Sequence, residues 1–244
     1  MKYLNFASRV LKNILLEIII TIIDLSGSMD EKDWKPSRKA GAIKANKELI
    51  KVKAQNYPQD KLGIIGFGTQ AEILHEPVCV DDDAESLYQA LKNPPSMGTT
   101  NFTAALELAE ACLFGNSATP KTYSTTKGLS QFFSELLYGP TQQGSNCIKE
   151  VSSPSEAVKR IIMLTDGHHW DGPSPMRVAR RLKNAGVIID CVGIGGRAKD
   201  VDEKLLKKIA SRNNADDSIR YCFIGDQQKL IRKYESLAHH IRPA

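Results

Sequence analysis

The chain has few cysteines, and their spacing argues against two kinds of cysteine site. There are five in 244 residues, an odd number, and no CxxC pair occurs. They lie far apart, at Cys79, Cys112, Cys147, Cys191 and Cys222. Such spacing disfavours both a disulfide framework and a thiolate zinc site, and it favours a reducing compartment. Cys112 and Cys191 lie within apolar patterns, so we expect both thiols in the core.

The chain also lacks a strong excess of charge. Its net charge is +5, from 33 basic and 28 acidic residues. These residues are spread along the sequence, which gives no strong case for nucleic-acid binding. Hydrophobic residues make up 41% of the chain and charged residues 25%, a composition that supports a packed core.

A membrane-spanning segment is absent as well. The apolar run 14–23 follows Lys2, Arg9 and Lys12, an arrangement similar to a signal peptide. However, the run is too short to span a membrane, it contains Glu17, and no small-residue cleavage pattern follows it. We therefore interpret it as the first strand, and we expect the protein in the cytoplasm without a membrane partner.

Common enzyme motifs are missing too. The sequence contains no HExxH zinc motif, no GxSxG nucleophile motif and no P-loop lysine motif. Gly63, Gly66 and Gly68 lie in LGIIGFG, but not in the dinucleotide-binding register, and no helix follows directly. These absences favour a binding protein over an enzyme.

Short apolar strands alternate with helical patterns along most of the chain. Strands are predicted at 16–24, 62–68, 71–74, 160–165, 187–194 and 220–224. Helices are predicted at 36–56, 87–91, 100–114, 175–185, 202–211 and 227–241. This alternation predicts an α/β fold: a doubly wound, mainly parallel six-stranded sheet with helices on both faces and one short antiparallel edge strand.

The stretch 18–29, read as IIITIIDLSGSM, changes abruptly from apolar to polar. Its β-branched residues suit a strand buried on both faces of a parallel sheet. The turn that follows holds Asp24, Ser26 and Ser28. A carboxylate with two hydroxyls suits a hard cation such as Mg²⁺, Ca²⁺ or Mn²⁺. The alternative is a structural turn, in which the serines bond backbone amides ahead of a helix.

Two further polar residues are placed to join this turn. Thr100 begins a helix, and Asp166 follows the strand at 160–165. In a doubly wound sheet, the loops at strand ends beside the switch point converge on one crevice. We therefore expect a metal site with one open position, formed by Asp24, Ser26, Ser28, Thr100 and Asp166.

At these residues the sequence resembles the von Willebrand factor type A (vWA) domain and its metal-ion-dependent adhesion site (MIDAS). The resemblance rests on DLSGS at 24–28, GTTNFTAAL at 98–106 and LTDG at 164–167. It covers the chain apart from one insertion. The family pattern places an asparagine after the ligating threonine, which selects Thr100 rather than Thr99.

The resemblance implies a role for each site residue. Ser26, Ser28 and Thr100 would supply hydroxyl oxygens to Mg²⁺, or to Mn²⁺ or Ca²⁺. Asp24 and Asp166 would neutralise the ion, one or both through water. The open position would accept a Glu or Asp of another protein, because hydroxyl ligands leave the ion electron-poor. We therefore expect a metal-dependent protein–protein interaction module in an intracellular multi-protein complex, and not an enzyme.

Two other functions stay open. One is a metal-dependent hydrolase or phosphatase that uses the same site, because His168 and His169 follow Asp166 directly and a histidine beside a metal can act as a general base. Adjacent loop residues do not easily face one ion together, so we expect these histidines at the rim. The other is a structural or assembly domain with a vestigial metal site.

Residues 115–157 interrupt the alternation of strands and helices. They are rich in Ser, Thr, Gly, Gln and Pro, and they are much longer than an ordinary loop. We interpret them as an insertion between the third helix and the fourth strand of a single vWA domain at 1–244. Our hypothesis is that the insertion lies near the metal face and contributes partner specificity.

Overall fold

The computed structural model describes residues 16–115 and 157–241, in which six strands form one sheet. The strands are β1 (Glu17–Asp24), β2 (Lys61–Phe67), β3 (Ala71–Cys79), β4 (Val158–Thr165), β5 (Ile188–Ile194) and β6 (Tyr221–Ile224). The α-helices are α1 (Arg38–Asn56), α2 (Val80–Ala90), α3 (Phe102–Phe114), α4 (Met176–Asn184), α5 (Glu203–Ile209) and α6 (Gln227–Leu237). Two short 3₁₀ helices lie at Gly27–Asp30 and Ala198–Asp200.

The strand order along the sheet is β3-β2-β1-β4-β5-β6. Strand β1 pairs in parallel with both β2 and β4, and the pairs β4–β5 and β5–β6 are also parallel. Only β3 runs antiparallel among the described strands, at the edge next to β2. This arrangement confirms the predicted fold class.

The edge strand β3 continues beyond its predicted end at Leu74, as far as Cys79. This part of β3 contains Pro77, which lacks an N–H and is tolerated at a sheet edge or an irregularity. The pairing with β2 shifts register here, between Leu62 and Ile64. Gly63 allows β2 to pass close to the ring of Pro77, since a Cβ added to Gly63 would lie only 2.8 Å from Cγ of Pro77.

Helices cover both faces of the sheet, so each face carries its own apolar core. In β1, Ile18, Ile20 and Ile22 pack in the core with residues of α3, α4 and α5. Ile19 and Ile23 pack in the opposite core with residues of α1, α2 and α6. Burial of such a side chain contributes roughly 1.5–3 kcal/mol, which explains why β1 is apolar on both sides.

Two observations concern the apolar residues that the structure describes. Cys112 and Cys191 are buried in the core, as their patterns predicted. Within 16–115 and 157–241, no helix combines the length and apolarity needed to cross a membrane.

The chain changes direction along the sheet at β1. It passes from β1 to β2 and β3 on one side, and β4 lies on the other side of β1. The carboxyl ends of β1 and β4 therefore flank a topological switch point, where open α/β sheets bind ligands. Asp24 ends β1 and Thr165 ends β4, so the polar turns after these strands are neighbours.

The predicted insertion lies outside the described residues apart from its two end residues, and residues 1–15 lie outside them entirely. Of those two, Gly115 follows the C-terminal end of α3, whose first turn begins beside the polar turns. Ala157 precedes the start of β4, beside the start of β1. Both residues lie toward the amino-terminal ends of the strands. The placement of the insertion near the metal face stays a prediction.

Candidate metal centre

Asp24 is fully buried at the end of β1, and both of its carboxylate oxygens accept hydrogen bonds. The N–H of Ser26 donates to Oδ1 at 2.8 Å, and the hydroxyl of Thr165 donates to Oδ2 at 2.6 Å. The first bond starts the sharp turn after β1, and the second joins the ends of β1 and β4. Together they fix the orientation of the Asp24 carboxylate. Thr165 is a positioning residue that the sequence analysis missed, although it stands directly before Asp166.

The two serines of the turn do not cap a helix. Ser26 occupies the N-cap position of the 3₁₀ helix Gly27–Asp30, but its side chain makes no capping hydrogen bond. Its Oγ lies 3.2 Å from Oγ of Ser28, and the Ser28 hydroxyl donates to Oδ1 of Asp166 at 2.7 Å. The Ser26 side chain therefore does not cap the helix that follows, and both hydroxyls are instead held in side-chain hydrogen bonds.

The loop before α3 is attached directly to the turn after β1. The N–H of Gly27 donates to the carbonyl of Gly98 at 3.0 Å, and the N–H of Met97 donates to the carbonyl of Leu25 at 2.8 Å. Gly98 has a φ of +80°, a conformation that glycine adopts without strain. These bonds hold the approach to α3 against the serine turn.

Thr100 lies between that loop and the loop after β4. It is buried, and its carbonyl accepts the N–H groups of Trp170 at 2.9 Å and Asp171 at 3.3 Å. A Cβ added to Gly167 would lie 3.3 Å from Oγ1 of Thr100, so the hydroxyl sits directly beside the residue after Asp166. Thr99 is exposed and instead bonds the side chain of Asp171.

Asp166 connects the serine turn to a buried arginine. Its Oδ1 accepts from Ser28, and its Oδ2 accepts from Nη1 of Arg38 at 2.9 Å. The Arg38 side chain is only 7% exposed and forms further ion pairs with Glu31 and Asp33, each at 2.7 Å. The sequence analysis missed Arg38, because no local pattern indicates a partner that stands 128 residues away.

The candidate residues border one open cleft of about 830 Å³. Ser26, Ser28, Thr100 and Asp166 line it, and Asp24 lies beneath them as a bonded neighbour of Ser26. The loop after β4 and the 3₁₀ helix Ala198–Asp200 supply further walls, with His168, Trp170, Arg197, Lys199 and Asp200. The structure thus brings all five predicted site residues together at the switch point.

The two histidines after Asp166 have different surroundings. His169 stacks on Phe102 with ring centroids 5.5 Å apart. Its Nδ1 accepts the N–H of Phe102 at 3.2 Å, and its Nε2 lies 3.0 Å from the carbonyl of Pro173. Both ring nitrogens are therefore engaged in positioning the start of α3. His168 lines the cleft and lies near Trp170, with ring centroids 6.0 Å apart.

Burial disfavours the ionised form of both carboxyl groups of the site, Asp24 and Asp166. Burial, together with the negative charge of Asp166, raises the pKa of Asp24 to about 7, against the hydrogen bonds from Ser26 and Thr165. Burial also raises the pKa of Asp166, although Arg38 and Ser28 stabilise its ionised form. The proximity of a second positive charge would favour ionisation of both groups.

The donor set fits a hard divalent cation. It consists of carboxylate and hydroxyl oxygens, which such ions prefer, and it contains no thiolate or imidazole. Two buried carboxylates, with Arg38 bonded to only one of them, leave negative charge that a divalent ion would balance. The arrangement can therefore bind a cation and present it to the open cleft.

A second group of potential metal ligands lies at the amino-terminal ends of the strands, opposite the candidate site. Ligand atoms of Glu17, Asp60 and His240 all lie within 4.8 Å of one another. However, the ammonium of Lys53 already bonds Glu17 at 2.8 Å and Asp60 at 2.6 Å, and all three side chains are buried. Lys53 therefore supplies the positive charge there, and we interpret this group as a structural ion-pair cluster.

Two family models match the chain, and both describe the von Willebrand factor type A domain. One matches residues 19–168 and the other residues 121–232. The first match contains all five candidate site residues. A comparison with curated protein sequences finds no match.

Solved structures share the fold at low sequence identity. A von Willebrand factor type A protein from Catenulispora acidiphila has a TM-score of 0.63 and 19% identity, over 92% of this chain and 42% of its own. Mussel byssus proximal thread matrix protein 1, solved with a zinc-occupied MIDAS motif, has a TM-score of 0.61 and 17% identity, over 92% and 47%. The SpRpn10 VWA domain has a TM-score of 0.61 and 16% identity, over 90% and 95%. The chain spans less than half the length of the first two proteins.

Proposed function

Since the chain belongs to the von Willebrand factor type A domain family, we propose that it is a protein-interaction module with a MIDAS that binds a carboxylate of its partner through a divalent cation. Ser26, Ser28 and Thr100 would hold the ion with their hydroxyl oxygens, and Asp24 and Asp166 would balance its charge. When bound, the cation, Mg²⁺ or alternatively Mn²⁺ or Ca²⁺, supplies an electron-poor centre that attracts an incoming Glu or Asp.

One observation carries the proposal. Three sequence-distant segments bring five oxygen-bearing side chains to a single open cleft, and Ser28 bonds Asp166 directly across it. The cleft is open enough to admit a side chain of another protein. Zinc in the MIDAS motif of the mussel byssus protein supports the idea that this fold can present a metal at such a place.

The described residues give little support to the hydrolase or phosphatase alternative. Both ring nitrogens of His169 are bonded within the protein, which leaves His168 as the histidine that lines the cleft. The protein stays predicted as an interaction module and not as an enzyme, and the hydrolase or phosphatase alternative depends on His168.

A structural or assembly domain with a vestigial site is the second candidate function. The bond from Arg38 to Asp166 favours it, because the guanidinium partly neutralises the site without a metal. The two functions differ in whether removal of the metal abolishes partner binding. Placement in an intracellular multi-protein complex and in the cytoplasm is part of the proposal for the interaction module.

A metal-dependent capture experiment tests the proposed function. Immobilised wild type and its Asp24→Ala variant would be incubated with extract of the source cells, in Mg²⁺ and in EDTA. The interaction module predicts a partner that wild type retains in Mg²⁺ and that both EDTA and Asp24→Ala remove. A partner retained equally under all conditions would favour the assembly domain.

A further inference from the structure

Arg38 occupies an electrostatically unfavourable position. It is the first residue of α1, where the helix dipole disfavours a positive charge. Its side chain is also buried, which adds a desolvation cost. Three carboxylates offset these costs, from Glu31, Asp33 and Asp166.

The hydrogen bonds of Arg38 leave one N–H of Nη1 available. A guanidinium has five N–H groups. Nε and Nη2 both donate to Asp33, and Nη2 also forms an ion pair with Glu31 at 2.7 Å. Nη1 has two N–H groups, and within the described residues it makes one bond, to Oδ2 of Asp166. Arg38 lines the same cleft as Ser26 and Ser28.

We propose that Arg38 is a specificity-determining residue of the cleft, which holds Asp166 with one N–H of Nη1 and offers the other to the carboxylate of the partner. This inference rests on the proposed function and adds a second contact to it. A carboxylate has two oxygens, so one can face the cation while the other accepts from Arg38. The partner is thereby a protein that presents an ionised Asp or Glu side chain.

The chemistry of this contact discriminates against close analogues of a carboxylate. The amide of Asn or Gln offers one oxygen, and its NH₂ group would face the N–H of Arg38, donor against donor. Lysine in place of Arg38 would keep the charge but not the planar fork that serves two acceptors at once.

Small probes can test this proposal without knowledge of the partner. Mn²⁺ affinity would be measured from the electron paramagnetic resonance signal of free Mn²⁺. Binding of ¹³C-labelled acetate to the Mn²⁺-loaded protein would be measured from paramagnetic relaxation of its carboxyl carbon, with labelled acetamide as the uncharged analogue. The variants are Arg38→Gln and Arg38→Lys, with Arg181→Gln, an exposed arginine paired with Glu110, as the matched control.

We expect Arg38→Gln to keep saturable Mn²⁺ binding, because loss of a positive charge beside the cation offsets loss of the bond to Asp166. Acetate should bind about 10- to 100-fold more weakly, the range for one hydrogen bond to a charged group. Arg38→Lys should be intermediate, and Arg181→Gln should behave as wild type. Acetamide should bind weakly to every variant.

Two results would overturn the role of Arg38. One is unchanged acetate affinity in Mn²⁺-loaded Arg38→Gln. The other is loss of Mn²⁺ binding by a folded Arg38→Gln, which would mean that Arg38 acts only by holding Asp166. Should Arg38→Gln fail to fold, Arg38→Lys decides by the same two readouts. Absence of Mn²⁺ binding by wild type itself would instead refute the proposed function, and this inference with it.

Discussion

The hydroxyl of Ser28 donates a hydrogen bond to Oδ1 of Asp166 at 2.7 Å, although the two residues stand 138 positions apart in the sequence. The bond spans the switch point between β1 and β4. It connects the turn after β1 to the loop after β4, which carry Ser28 and Asp166. A serine and an aspartate at this distance can both reach one small cation. The same bond orients the Asp166 carboxylate, whose other oxygen is held by Arg38.

The first prediction concerns the Ser28 hydroxyl. Ser28→Ala removes an oxygen ligand and the bond to Asp166, so Mn²⁺ affinity should fall at least tenfold, since loss of even an outer-shell partner costs about 10–100-fold. Ser218→Ala is the matched control, because Ser218 donates to Asp216 at the same 2.7 Å distance on the surface. Equal Mn²⁺ affinity of the two variants would contradict a role for Ser28 as a ligand.

The second prediction concerns pH. The pKa of Asp24 lies near 7 in the folded protein, above the ordinary value of 3.8. Between these values the folded state holds a proton that the unfolded state has released, so the free energy of unfolding in EDTA should fall as the pH rises from about 4 to 7. Asp24→Asn cannot ionise at this position, so its slope should be smaller, with the part due to Asp166, whose pKa is also raised, remaining. Thermal unfolding of both proteins at several pH values checks it, and a slope of equal size in both would rule out a contribution from Asp24.

A third prediction follows from the same titration. A cation competes with the proton on Asp24, so metal binding should stabilise wild type more above pH 7 than below it. The measurement is the difference in unfolding temperature with and without Mg²⁺ from pH 5.5 to 8.5. A stabilisation that is constant over this range would show that Asp24 ionisation is not linked to metal binding.

The fourth prediction separates the buried ion-pair cluster from the metal centre. Lys53→Met leaves Glu17 and Asp60 buried without their shared cation, which should lower the free energy of unfolding by about 3–5 kcal/mol. Lys51→Met is the control, since Lys51 pairs with Glu48 in solvent and its loss should have little effect. Urea unfolding measures both. Equal stability of the two variants would show that Lys53 is not the charge partner of this cluster.

The sheet was predictable because its strands carry local signals. The β-branched run of β1 and the alternation of strands and helices indicate a parallel sheet without knowledge of long-range contacts. The five candidate site residues could also be named, because they follow strand ends or begin a helix, and the switch point gathers such positions. The end of β3 was harder to predict, since Pro77 normally argues against a strand. Gly63 on the neighbouring strand leaves room for the proline ring.

The buried charged residues were not predictable in the same way. Arg38 and Lys53 both lie on α1 and look like other basic residues of a solvated helix. Their burial depends on carboxylates such as Asp166 and Glu17, which only the fold brings near. Thr165 is likewise a common strand residue until its hydroxyl meets Asp24 across the two strands.

The most direct test of the metal centre is a calorimetric titration of Mg²⁺ and Mn²⁺ into wild type, Asp24→Ala and Asp216→Ala. Asp216 is an exposed aspartate that lies outside the cleft, so its variant controls for the loss of one negative charge. We predict one saturable site in wild type and Asp216→Ala, and at least tenfold weaker binding by Asp24→Ala. The same affinity in all three proteins would contradict the proposed metal centre.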